Sequence, residues 1–102
     1  MYRRRDELIS LFEEISHSVS VSRIFWRLFR NGEMNISQII RQTGLNHKIV
    51  KKSLAVMIDK GFVREKSFGR VRIYFLNKDN PNIRMLLSIL SRSSADFFSK
   101  DD

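Results

Sequence analysis

The chain has 102 residues, 42% of them hydrophobic, which allows one domain with one modest core. Its formal net charge is +8 and its pI about 10.5, a balance that favours an anionic partner, either nucleic acid or an acidic membrane surface. It has no cysteine, which excludes disulfides and thiolate metal sites, and no apolar run near the ~20 residues of a membrane span.

The basic N-terminus, Met1-Tyr2-Arg3-Arg4-Arg5, is followed by Asp6 and Glu7 and not by the apolar stretch of a signal peptide. A cytoplasmic, nucleoid-associated protein is expected. Residues 3–16 read as an amphipathic helix with Leu8, Leu11, Phe12 and Ile15 on one stripe. Arg3, Arg4 and Arg5 are either an arm for phosphates or a solvated terminus. Ser16, Ser18, Ser20 and Ser22 alternate with His17, Val19 and Val21, a poor helix interior that predicts a joint between helices.

A second helix is expected over residues 20–31, with Ile24, Phe25, Leu28 and Phe29 inward and Asn31-Gly32 at its end. Trp26 falls off that stripe, so it packs within the monomer, on a terminal helix, or in a dimer interface. Met34 and Asn35 suit a very short strand. A third helix follows, with Ile36, Ile39 and Ile40 inward and Asn35 or Ser37 as its N-cap.

Thr43-Gly44-Leu45-Asn46 then reads as a tight turn. Gly44 supplies the left-handed backbone that ends one helix, and Asn46 caps the next. In that next helix Val50, Leu54, Met57 and Ile58 keep helical spacing and form one buried stripe, and Gly61 stands just past its end. Its other face carries His47, Lys48, Lys51 and Lys52. Residues 62–76 have the period of two that a hairpin requires. Val71, Ile73 and Phe75 face one way, Arg72, Tyr74 and Leu76 the other, and Gly69 lies in the connection. Asn80-Pro81 is a cap with proline at the first helical position, opening a last helix over residues 81–98 with Ile83, Leu86, Leu87, Leu90, Phe97 and Phe98 as apolar residues. The four glycines and the one proline all stand at boundaries, never inside an element.

The run Ile36-Ser37-Gln38-Ile39-Ile40-Arg41-Gln42-Thr43-Gly44-Leu45, the helix over residues 46–60 and the basic hairpin over residues 62–76 together resemble the winged helix-turn-helix family of bacterial and archaeal transcription regulators. The resemblance covers roughly residues 20–78. The fold class it implies is mainly α with a small β-hairpin: a winged helix-turn-helix core within a single 1–102 domain, flanked by extra helices at 3–16 and 81–98. It also implies duplex DNA binding, often as a homodimer, and no enzymatic activity. Some winged helices bind only proteins, so fold alone does not settle function.

Charge placement supports the DNA reading. Residues 41–72 hold nine Lys/Arg against Asp59 and Glu65, a net of +7. Lys48, Lys51 and Lys52 are candidates for phosphates or guanine acceptors in the major groove. Asn46 either caps its helix or contacts a base, and His47 either donates to DNA or faces solvent. Ser37, Gln38 and Thr43 are candidate phosphate ligands from the supporting helix. Arg64, Lys66, Arg70 and Arg72 make the wing basic, with Arg70 at its tip the first choice for a minor-groove contact. Phe68 beside it either wedges between bases or folds back on the hairpin.

The sequence has no Gly-rich phosphate loop and no metal-ligand spacing, and His17 and His47 are lone histidines on different elements, so no enzyme and no cofactor are expected. The partner expected is double-stranded DNA, with no membrane; an effector is not legible. A homodimer is expected through the terminal helices, with Leu8, Phe12, Ile83, Leu86, Leu87, Leu90, Phe97 and Phe98 at the interface. The leading function is a dimeric, sequence-specific transcription regulator. The alternatives are an architectural DNA-coating protein with little sequence preference and a winged-helix protein-interaction module.

Overall fold

A single residue, Ser18, separates the first two helices. The computed structural model describes residues 2–99, with side chains described from residue 6 to residue 92. Helix α1 (Tyr2–His17) stops at Ser18, whose extended backbone and hydroxyl open helix α2 (Val19–Asn31) by accepting from the Val21 amide at 3.3 Å. The serine alternation is therefore a joint of one residue. Its next member, Ser20, lies on the inner side of α2, where the buried Ser53 hydroxyl donates to it at 2.9 Å.

The remaining elements are β1 (Met34–Asn35), α3 (Ile36–Thr43), α4 (His47–Asp59), β2 (Val63–Phe68), β3 (Val71–Leu76) and α5 (Pro81–Ser99). The sheet is antiparallel in the order β1-β3-β2. Met34 lies opposite Tyr74 on one side of β3, and the hairpin pairs Val63 with Leu76 through to Phe68 with Val71. Two short strands with one buried face are marginal alone; this pair is held by α4 and α2, which pack against β2 and β3. The result is a winged helix-turn-helix with one helix added at each end.

The core lies where α2, α3, α4 and the sheet meet. Ile24, Phe25 and Leu28 of α2, Ile39 of α3 and Val50, Leu54 and Met57 of α4 are almost fully excluded from solvent. Each keeps the helical spacing of its own element, and each contributes about 1.5–3 kcal/mol by leaving water. From the sheet, Val63, Tyr74 and Leu76 close the opposite side. Asn80 begins α5: its carboxamide oxygen accepts from the Asn82 amide at 2.9 Å, and its Nδ2 donates to the Gly61 carbonyl at 3.1 Å. The last helix is thereby tied to the end of α4.

The terminal helices bury two members of the expected interface set in their own chain. Ile83 is 0% exposed and Leu86 is also buried, both in the core of their own chain. Leu8, Leu87 and Leu90 are half-buried against that same core. The physical reason is that α1 packs on α2 and α5 packs on α1, so the apolar faces of both terminal helices join the core of their own chain. The side chains of Phe97 and Phe98, like those of Arg3, Arg4 and Arg5, lie outside the described residues. Among the described members of the interface set only Phe12 is left open, at 51% exposure, and Ile9 and Ile89 of the same two helices are also exposed. Trp26 is also exposed, and it stands edge-on to Phe25 at 5.5 Å and to Phe29 at 5.7 Å instead of entering the core.

Candidate nucleic-acid interface

The helix-turn-helix over α3 and α4 is built from three local devices. Asn35 and Gln38 form a reciprocal capping box at the start of α3. The Gln38 amide donates to Asn35 Oδ1 at 2.9 Å, and the Asn35 amide donates to Gln38 Oε1 at 2.8 Å. Gly44 ends α3 with φ +75, a left-handed conformation that costs glycine nothing, and its amide donates to the Ile40 carbonyl. Asn46 then caps α4, accepting from the Ile49 amide at 2.8 Å.

These devices decide which polar groups remain for a ligand. Thr43 is buried; its hydroxyl donates to the Ile39 carbonyl at 2.6 Å and accepts from the Leu45 amide. It is withdrawn from the surface, which corrects its reading as a phosphate ligand. A hydroxyl in the last turn of a helix is closer to its own backbone than to any ligand. Gln38 keeps its side-chain oxygen in the capping box and Asn46 keeps its own in the cap. Ser37, His47, Lys48, Lys51 and Lys52 are exposed.

On α4 the inward residues are Val50, Ser53, Leu54 and Met57, so Lys48, Lys51 and Lys52 project from the opposite side of the first two turns. Among the described residues none of these three, nor Arg70, has an acidic partner. Ile49 and Val56 add exposed apolar area to the same helix, each 40% exposed. A groove runs between the start of α3, the start of α4 and the wing, lined by Ser37, His47, Lys51, Arg70, Arg72 and Tyr74. Residues from three elements thus meet as one basic concavity.

The wing divides its cations between two faces. Alternation in the paired strands puts Arg72 with Glu65 and Tyr74 on the side toward α4, and Arg64 and Lys66 on the side away from it. Arg64 pairs with Asp79 at 2.7 Å, and Lys66 pairs with Glu33 at 2.7 Å while lying over the Phe75 ring. Arg64 and Lys66 are therefore not brought into the groove with the α4 lysines. Charge alone groups them with Arg70 and Arg72; their even-numbered register on the outer strand places them on the far face. Arg72 faces the groove but bonds Glu65 at 3.2 Å. Burial, and after it the Glu65 carboxylate, holds the Tyr74 phenol above its usual range, against a smaller lowering by Arg72.

Ile36 and Tyr74 carry parts of the site that the sequence reading did not single out, and Ser53 is a buried polar contact of α4. Ile36 and Tyr74 line the groove. The signal for Ser53 lay in the periodicity, since it falls inside the Val50–Leu54–Met57 stripe and so on the inner face of α4. At the wing tip Gly69 takes φ +67, and Phe68 is 76% exposed, so it does not fold back on the hairpin.

Comparison with known proteins gives a family and a fold. Residues 10–64, more than half of the chain, match the family model described as the RNA polymerase III subunit RPC82 helix-turn-helix domain. None of the curated proteins matches the chain. Among solved structures it is similar to the transcriptional repressor BigR from Xylella fastidiosa, at 20% identity over 88% of each chain with a TM-score of 0.69. HlyU from Vibrio cholerae is similar at 15% identity, covering 86% of this chain and 92% of that one with a TM-score of 0.68. Sso10a-2, a DNA-binding protein from Sulfolobus solfataricus, is similar at 17% identity, covering 82% and 88% with a TM-score of 0.52.

Proposed function

The chain belongs to the helix-turn-helix family of the RNA polymerase III subunit RPC82 domain, and from that premise we propose that it is a duplex-DNA-binding transcription regulator rather than an enzyme. α4 enters the major groove. The wing tip reaches the adjacent minor groove or backbone. The observation that carries this is the set Lys48, Lys51 and Lys52, exposed on the first turns of α4 with no acidic partner among the described residues, beside Arg70 across the groove. Cations left free on the one helix that follows a tight turn are placed for phosphates and guanine edges.

The protein acts as a homodimer on a pseudo-palindrome, with two recognition helices about one DNA turn apart, ~34–36 Å. Ile9, Phe12 and Ile89, exposed on two helices that pack against each other, are the apolar residues available for that contact. The test is titration of a labelled duplex at several salt concentrations with Lys48→Ala/Lys51→Ala/Lys52→Ala. Every lysine that neutralises a phosphate adds about 0.9 to the salt slope, so the slope of the triple variant falls by up to about three units. Unchanged affinity in that variant removes α4 as the reading helix.

Ile49 and Val56 favour a second reading, in which this face of α4 docks on another protein. It predicts that the wild-type chain binds no duplex at low salt.

A further inference from the structure

We propose that the wing tip is an apolar wedge that opens a flexible base step in the minor groove, and that this deformation, more than hydrogen bonding to base edges, sets which duplexes the protein prefers. The inference rests on the DNA-binding reading and gives it a mechanism of sequence preference.

The first observation is the tip itself. Phe68 is 76% exposed and Val71 is 46% exposed, the former the most exposed of the large apolar side chains described. They lie directly opposite each other as the last pair of the β2–β3 ladder. The connection has two residues, Gly69 and Arg70, with Gly69 at φ +67. An aromatic ring, a branched aliphatic and a guanidinium without an acidic partner among the described residues thus stand together at the end of a continuously paired hairpin. The next aromatic on the same face of the hairpin, Phe75, lies under the Lys66 ammonium at 5.4 Å, whereas nothing in the described residues covers Phe68. Water exposure of a phenyl ring this size is unfavourable, and the stacked bases of a duplex offer it a flat apolar surface.

Charge selects the occupant. Arg70 at the turn, with no acidic partner among the described residues, makes the tip electropositive, which suits the negative potential of a minor groove.

The second observation is the shortage of base readers on α4 and α3. The carboxamide oxygens of Asn46 and Gln38 and the hydroxyl of Thr43 are all engaged by backbone amides. Exposed on the groove side are mainly lysines and His47. Lysine is a flexible point charge and discriminates bases less than the planar groups do. With direct readout thin, the energy of deforming the duplex is left to discriminate sequences. Pyrimidine–purine steps such as TA unstack most readily, while A-tracts resist.

The experiment uses the full chain and two duplexes of equal length, one rich in TA steps and one an A-tract. Bending is read by energy transfer between the duplex ends, and unstacking by the fluorescence of 2-aminopurine placed at a TA step. Wild type is expected to bend and brighten the TA duplex and to prefer it by roughly five- to tenfold. Phe68→Ala should abolish the brightening and bring that preference close to unity. Phe68→Leu, which keeps a wedge, should retain both. Equal bending and brightening by wild type and Phe68→Ala overturns the wedge, as does a wild-type preference for the A-tract, which would mean that Arg70 reads a narrow groove unaided. A change in sedimentation of the free protein on Phe68→Ala, with bending intact, overturns it in favour of a protein contact. The lysine triple variant separates the two readings. If wild type binds and that variant does not, the DNA-binding reading stands whatever Phe68 does; if wild type binds neither duplex, both fall.

Discussion

Neutralising Glu65 should strengthen DNA binding, although it removes an ion pair. Arg72 is the wing-strand cation that faces the groove, and its guanidinium bonds Glu65 at 3.2 Å with the two side chains 66% and 37% exposed. A pair this open to water is worth about 0.2–1 kcal/mol. Presenting Arg72 to a phosphate means opening that pair and bringing a carboxylate toward the DNA. Glu65→Gln removes both costs, so affinity should rise about 1.4- to 5-fold at low salt. Thermal stability should fall by less than ~1 kcal/mol. An internal control comes from Tyr74, paired opposite Glu65 in the sheet. Glu65 is the second cause of its raised phenol, after burial, so the phenol must titrate lower in the variant. The assay is fluorescence anisotropy of a labelled duplex at several salt concentrations. Phenol absorbance is followed in a Tyr2→Phe background, since the chain has two tyrosines. A lower phenol pKa with unchanged or weaker DNA binding would refute the placement of Arg72 on the DNA-facing side.

Other outcomes follow from the same geometry. Ile83→Ala should cost about 2–5 kcal/mol of stability, because Ile83 is 0% exposed within its own chain; Phe12→Ala should leave the melting temperature of the monomer nearly unchanged and weaken self-association in sedimentation. Gly44→Ala should destabilise by about 1–2 kcal/mol in chemical denaturation, since the position has φ +75 and an added Cβ meets no atom within 4 Å, so only backbone strain acts. The folded state holds the Tyr74 proton more tightly than the unfolded chain does. That contribution is fully present below the ordinary phenol value of 10.0 and is lost as pH rises through the raised folded value, so unfolding titrations should show stability falling above about pH 10.

Local physics made much of this molecule legible in its residues. Asn46 as N-cap, Gly44 and Gly61 as left-handed terminators and Asn80-Pro81 as a helix start each depend on neighbours within four positions. The Val50, Leu54 and Met57 stripe depends only on the period of a helix. A device that closes on itself within one turn can be read without knowing the rest of the fold.

What required the tertiary structure is everything decided by which surface meets which. Alternation in residues 63–76 defines two faces, but only the packing of α4 against β2 makes one of them the groove side, with Arg72, and the other the far side, with Arg64 and Lys66. The pairing of Lys66 with Glu33 and of Arg64 with Asp79 spans 33 and 15 residues of chain, beyond any local pattern. Ile83 and Leu86 form the same kind of apolar stripe whether they cover their own core or a second subunit. Only the packing of α5 on α1, which brings Ile83 and Leu86 into the core of their own chain, decides between them. Phe68 is likewise a strand aromatic like Phe75 by sequence; its exposure follows from its position at the last rung of the ladder, beyond the helices that pack on the sheet.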